Sequence, residues 1–93
     1  MKLLTQGGLS EQALDIFIKL TRIQSNDIKD ALDFYLVKGH SEAASSAMNQ
    51  VSLSNFRRAL ARLEETAALV EGLVQIRIGA YRAVSNHVSD HLE

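Results

Sequence analysis

The sequence predicts an all-α fold, a small helical bundle containing a helix-turn-helix and a C-terminal helical oligomerisation segment. Three observations lead there. The 93 residues include no proline, so nothing forces a helix to break. Aromatic residues are only 5% of the chain, while Ala, Leu, Glu, Gln and Arg, which lose little on entering a helix, are frequent. Apolar residues recur at three- and four-residue steps over most of the length.

The elements follow in order. After a loose start at Gly7 and Gly8, Ser10 caps a first helix with its apolar stripe at Leu9, Ala13, Ile16, Phe17 and Leu20. Ser25 caps the second, Asp27 complements its positive dipole end, and Ile28, Ala31, Leu32, Tyr35 and Leu36 form its buried stripe. That helix is expected to stop at Gly39, where glycine suits a left-handed residue and Lys38 suits the negative dipole end. Ser41 caps a short third helix of small residues, SEAASSAMNQ, with Asn49 and Gln50 in the turn beyond it. Ser52 caps the next helix, begun by LSNFRRALARL, and this tight succession of helix, turn and helix has helix-turn-helix spacing. From there a seven-residue repeat runs through Leu60, Leu63, Ala67, Val70, Val74, Tyr81, Val84 and Val88, interrupted by Arg77. The segment LVQIRI, residues 73–78, alternates β-branched and polar residues between Gly72 and Gly79 and also fits a short strand; helix is favoured. One domain is expected over residues 1–93, with the helix-turn-helix at 41–63 and an oligomerisation tail at 64–91.

Composition narrows the class. Apolar residues at 46% and charged residues at 23% are ordinary for a globular chain. The absence of cysteine excludes disulfides, thiolate nucleophiles and cysteine metal sites. Neither a signal peptide at MKLLTQGG nor an apolar run of membrane-spanning length is evident, so a cytoplasmic protein without a membrane partner is expected. Leu92 and Glu93 read as a cloning-site remnant.

The net charge of −1 conceals an uneven distribution. Residues 38–63 carry Lys38, Arg57, Arg58 and Arg62 against Glu42, a local +3, whereas residues 64–93 carry −3 and residues 1–37 carry −1. On a helical wheel Leu53, Phe56, Leu60 and Leu63 share one side of the last helix. Ser54, Asn55, Arg58, Ala61 and Arg62 share the other, with Arg57 on the flank. The outer face holds the residue types that read DNA: Arg pairs with guanine, Asn with adenine, Ser with base edges or phosphate. A helix-turn-helix frame set by Val51 and Phe56 points instead to Ser52, Leu53 and Ser54, then Arg57 and Arg58. Wheel and frame agree on Ser54 and Arg58. The principal candidates are therefore Arg58 and Arg57, with Ser52, Ser54 and Asn55 reading or positioning, and Arg62 and Lys38 on phosphate. His40 and Ser41 follow the stop of the second helix, where the backbone after Ser41 either holds a phosphate or simply forms a loop and cap.

The stretch DFYLVKGHSEAASSAMNQVSLSNFRRALARL, residues 33–63, resembles the PapB-type regulators of fimbrial (adhesin) operons in bacteria. The resemblance rests on Tyr35, Leu36, Val37, Gly39, His40, Ser41, Phe56, Leu60, Arg62 and Leu63, matched without a gap. A weaker one, to the TrfB/KorA plasmid repressors, rests on the Leu-Val-x-Gly segment and the second helix. The first resemblance implies a small helix-turn-helix transcription factor acting as an oligomer on repeated or symmetric sites in double-stranded DNA. Where that family often carries Cys and an aromatic residue, this chain has Ser46 and Asn49, so packing there is expected to draw on Met48 instead.

Other constellations lead to blander readings. His87 and His91 stand four apart without a third metal ligand, Asp27, Asp30 and Asp33 read as a solvated face, and Ser45 and Ser46 read as packing. No paired catalytic residues, glycine-rich phosphate loop or metal spacing is present, so neither an enzyme nor a cofactor is expected. The remaining alternative to a self-associating DNA-binding regulator is a helical interaction protein that uses its C-terminal apolar seam without DNA.

Overall fold

The computed structural model describes the backbone of residues 3–92 and the side chains of residues 3–76. Four helices follow in order, α1 (Glu11–Thr21), α2 (Asn26–Leu36), α3 (Glu42–Met48) and α4 (Leu53–Leu92), with no strand among the described residues. Each begins at a serine. The hydroxyls of Ser10, Ser25, Ser41 and Ser52 accept the backbone N–H groups of Ala13, Ile28, Ala44 and Asn55 at 3.0–3.3 Å. Such a cap satisfies one of the orphan donors at a helix start and is worth about 1 kcal/mol.

The helices converge on one core. Leu32, Leu36, Phe56 and Leu63 are fully buried, and Leu4, Leu14, Ile23, Ala31, Tyr35, Ala59, Leu60 and Ala67 surround them. The Tyr35 and Phe56 rings meet edge to face, 5.7 Å between centroids, which joins α2 to α4. The α2 stripe is as the sequence predicts, with Ile28 half-buried and the other four positions buried. The α1 stripe is rotated. Ile16 and Leu20 stand 56% and 54% exposed, while Leu14, Phe17, Ile18 and Thr21 turn inward. Of the expected stripe, Leu9, Ala13 and Phe17 are half-buried; Ile16 and Leu20 are not, because EQALDIFIKLT supports two overlapping stripes and the core selects the one through Leu14, Phe17, Ile18 and Thr21.

Helix α2 ends at Leu36, short of Gly39. Gly39 is the left-handed residue of the stop, as the sequence predicts, with His40 N–H donating to the Phe34 carbonyl, and the N-terminal segment covers the last turn. Gly7 N–H donates to the Tyr35 carbonyl (2.9 Å) and Leu9 N–H to that of Leu36 (3.0 Å), satisfying the last-turn acceptors from outside the helix. Gly7 and Gly39 both adopt left-handed φ, +68° and +83°, and a Cβ on Gly7 would lie 3.2 Å from the Gly39 Cα. Glycine is required at that crossing. The segment is therefore not loose: Leu3 and Leu4 N–H donate to the two carboxylate oxygens of Glu64 on α4, and the Leu4 side chain enters the core.

Between α3 and α4 the chain turns over residues 49–52, with Gln50 left-handed at φ 59°. Ser45 and Ser46 are buried, consistent with a packing role. Met48 is 59% exposed and contributes no substitute packing; Asn49 instead donates to the Ser45 carbonyl (2.7 Å), and the Ser46 hydroxyl bonds back to the carbonyls of Glu42 and Ala43. A polar back-bonded turn replaces the expected apolar contact.

Helix α4 touches each of the other three helices and then continues beyond them. Its 40 residues, at about 1.5 Å each, account for the long axis of a molecule measuring 62 × 22 × 21 Å. Residues 73–78 are helical: an isolated alternating segment has no neighbouring strand to take its backbone hydrogen bonds, whereas a helix satisfies them internally. The heptad seam divides in function. Leu60, Leu63 and Ala67 belong to the core, Val70 is half-buried, and Val74 is exposed. Tyr81, Val84, Val88 and the His87–His91 pair lie outside the residues with described side chains, as do Arg77 and the Leu92–Glu93 end.

Candidate nucleic-acid interface

The first three turns of α4 divide sharply. Phe56, Ala59, Leu60 and Leu63 are buried and Leu53 is half-buried against the core, while Ser54, Asn55, Arg57, Arg58, Ala61 and Arg62 are exposed. The wheel and the helix-turn-helix frame disagreed over Leu53, Asn55 and Arg62, and exposure follows the wheel at all three. Ser54, Arg58 and Ala61 form the outermost line of the helix, at four- and three-residue steps.

The basic side chains along this line have different partners. Arg57 Nε lies 3.3 Å from Glu42 Oε1 at the start of α3, an ion pair across the helix-turn-helix. Arg58 Nη1 donates to Asn55 Oδ1 at 3.2 Å, one turn back on the same helix. A guanidinium has five N–H donors, so Arg58 retains four, and with its oxygen engaged the exposed Asn55 keeps its amide N–H donors for another partner. Arg62 reaches the other way: its Nη2 donates to the Thr21 carbonyl at 2.6 Å, closing the C-terminus of α1 across 41 residues of sequence. A cation at that carbonyl also complements the α1 dipole.

The remaining candidates lie at helix ends. Ser52 caps α4, with its hydroxyl on the Asn55 N–H. Ser41 caps α3, its hydroxyl accepting the Ala44 N–H. Lys38 pairs with Asp33 (3.3 Å) and lies 4.5 Å from the centre of the Phe34 ring, against which His40 also packs at 5.2 Å. Lys38, Phe34 and His40 thus form a stack at the end of α2, separate from the α4 face. The structure brings together Ser52, Ser54, Asn55, Arg57, Arg58 and Arg62, holds Ser41 next to the Glu42 that pairs with Arg57, and leaves Lys38 and His40 at the end of α2.

One element of this surface escapes a reading by segments. The α1–α2 loop, residues 22–25, borders a cleft of about 410 Å³ shared with Asn55, Arg58 and Arg62. Arg22, counted from sequence within an N-terminal third of charge −1, therefore stands beside the arginines of α4. Nothing local in the sequence signals this, because the juxtaposition depends on a contact between residues 21 and 62. No group of three or more metal-binding side chains occurs among the described residues, and no described helix is long and apolar enough to cross a membrane.

Comparison with known proteins bears on this surface. The profile of the PapB family, described as adhesin biosynthesis transcription regulatory protein, matches residues 1–76 and so spans all four helix starts and the whole exposed basic face. The crystal structure of Escherichia coli FocB is similar at a TM-score of 0.74 and 30% identity, over 78% of this chain and 83% of that one. No curated protein sequence matches.

Proposed function

The chain belongs to the PapB family of adhesin biosynthesis transcription regulators, and on that premise we propose that it is a sequence-specific DNA-binding regulator of an adhesin operon. In this reading it works in the cytoplasm as a dimer or higher oligomer. The observation that carries the proposal is the exposed line Ser54–Arg58–Ala61 on α4, flanked by Asn55 and Arg57 and backed by a fully buried Phe56. A helix whose inner side is locked into the core presents its outer side at fixed geometry, as base readout requires. Arg58 and Asn55 read base edges, Arg57 and Ser54 read or position, Ser52 holds the helix start, and Arg62 contributes charge from behind the face. The local +3 supplies the field for phosphate attraction despite the overall −1.

Self-association rests on the projecting part of α4. Leu69, Leu73 and Ile76 are 75%, 64% and 70% exposed and recur at four- and three-residue steps, and Val74 lies beside them. A helical extension with such a face is marginal alone in water and gains its stability by packing against another helix. A second copy of this chain fits that role, since two modest half-site affinities then combine through effective concentration. The same seam would serve a helical interaction protein that never touches DNA. Titration of the full chain onto duplexes from upstream of its own operon, read by anisotropy across a salt series, separates the two. Saturable binding that weakens with salt supports the regulator; none at low salt favours the interaction protein.

A further inference from the structure

We infer that the cleft between the α1–α2 loop and α4 is a seat for a backbone phosphate of the bound DNA strand, with Arg22 as its outer donor; this rests on the DNA-binding reading above. Three guanidinium-bearing residues, Arg22, Arg58 and Arg62, line the cleft together with Gln24, Ser25 and Asn55, and no carboxylate does. By contrast, Arg57 has Glu42 and Lys38 has Asp33 within ion-pair distance. The three arginines of the cleft have no carboxylate within ion-pair distance among the described residues. Three like charges around one concavity repel one another, and an entering anion removes that penalty.

The loop is also held in place before any ligand arrives. Arg22 occupies a left-handed conformation (φ 60°, ψ 28°) with its N–H on the Ile18 carbonyl. The preceding Thr21 carbonyl accepts from Arg62, and the following Ile23 is buried in the core. Fixing a loop in advance lowers the ordering cost of binding. Continuity favours a nucleic-acid strand over a free phosphate compound, because Arg58 and Asn55 belong both to the cleft and to the base-reading face. A phosphate seated here is the next contact along a strand whose bases meet α4.

The test compares the full-length wild type with Arg22→Gly and Arg22→Lys on two duplexes of unrelated sequence. Glycine suits the left-handed backbone, so Arg22→Gly removes the guanidinium while keeping or raising the melting temperature. Arg22→Gly is expected to lower affinity about three- to tenfold on both duplexes alike and to reduce the log–log salt slope by about 0.9, the signature of one lost phosphate. Arg22→Lys is expected to retain the slope. A wild type that binds while Arg22→Gly matches it in affinity and slope overturns the cleft alone, as does a loss confined to one duplex. A wild type that binds neither duplex at low salt overturns it together with the DNA reading. Pyrophosphate that perturbs the Arg22 side-chain N–H resonance, with duplex binding indifferent to Arg22→Gly, assigns the cleft to a free phosphate compound and overturns the strand assignment.

Discussion

Arg57 and Arg58 are neighbours in sequence but not in circumstance. The Arg57 guanidinium is shared with Glu42 across the turn, while Arg58 bonds only the neutral Asn55 and keeps its full charge for a ligand. An arginine engaged by a carboxylate must give up that partner before it serves phosphate or base, and the carboxylate left behind repels the backbone. Glu42→Gln is therefore expected to raise DNA affinity about two- to fivefold at low salt, with less gain at high salt where the pair and the repulsion are both screened. Titrations of wild type and variant at two ionic strengths check this; an unchanged or weakened affinity would place Arg57 outside the interface. The sequence already singles out Arg58, on which wheel and frame agree; it does not register the ion pair spanning 15 residues that engages Arg57.

At the scale of elements, local signals and long-range ones divide cleanly. The four serine caps, the α2 stripe and the buried side of α4 follow from periodicity and capping within a few residues, and were legible for that reason. What was not legible depended on partners far along the chain. The covering of the last turn of α2 depends on backbone donors from residues 7 and 9, the inward face of α1 on its contact with α4, and the Arg22 cleft on a bond from Arg62 to Thr21. The strand alternative at 73–78 rests on local alternation between two glycines, and among the described residues there is no strand for it to pair with. The continuity of α4 through this stretch has a consequence at Gly72, where an added Cβ would meet nothing within 4 Å. Gly72→Ala is expected to stabilise the helix by about 0.5–1 kcal/mol without altering assembly. Thermal melts followed by circular dichroism measure it, and a lower melting temperature would mean that the glycine accommodates a close neighbour.

For the whole molecule the decisive feature is that one helix serves both ends. The first part of α4 carries the basic face and completes the core, while the part beyond the core carries Leu69, Leu73 and Ile76 outward. In the proposed reading, assembly through the second part would fix the spacing of two copies of the first, and operator geometry would follow from helix pairing. Replacing a residue of the exposed apolar face with a charge, as in Leu73→Glu, is expected to shift the protein toward monomer in sedimentation equilibrium. Because Leu73 is exposed, the fold should survive and each half-site contact should persist, with affinity for a two-site duplex falling by about tenfold or more. An assembly state indifferent to Leu73→Glu would move the self-association surface elsewhere. The central claim is that the outer line of α4 reads DNA, and the most direct measurement is the affinity of Arg58→Ala relative to wild type on an operator duplex and on a scrambled one. The account predicts a loss of about 1–3 kcal/mol on the operator, a smaller loss on the scrambled duplex, and hence reduced discrimination between them; equal affinities for wild type and Arg58→Ala on both duplexes would contradict it.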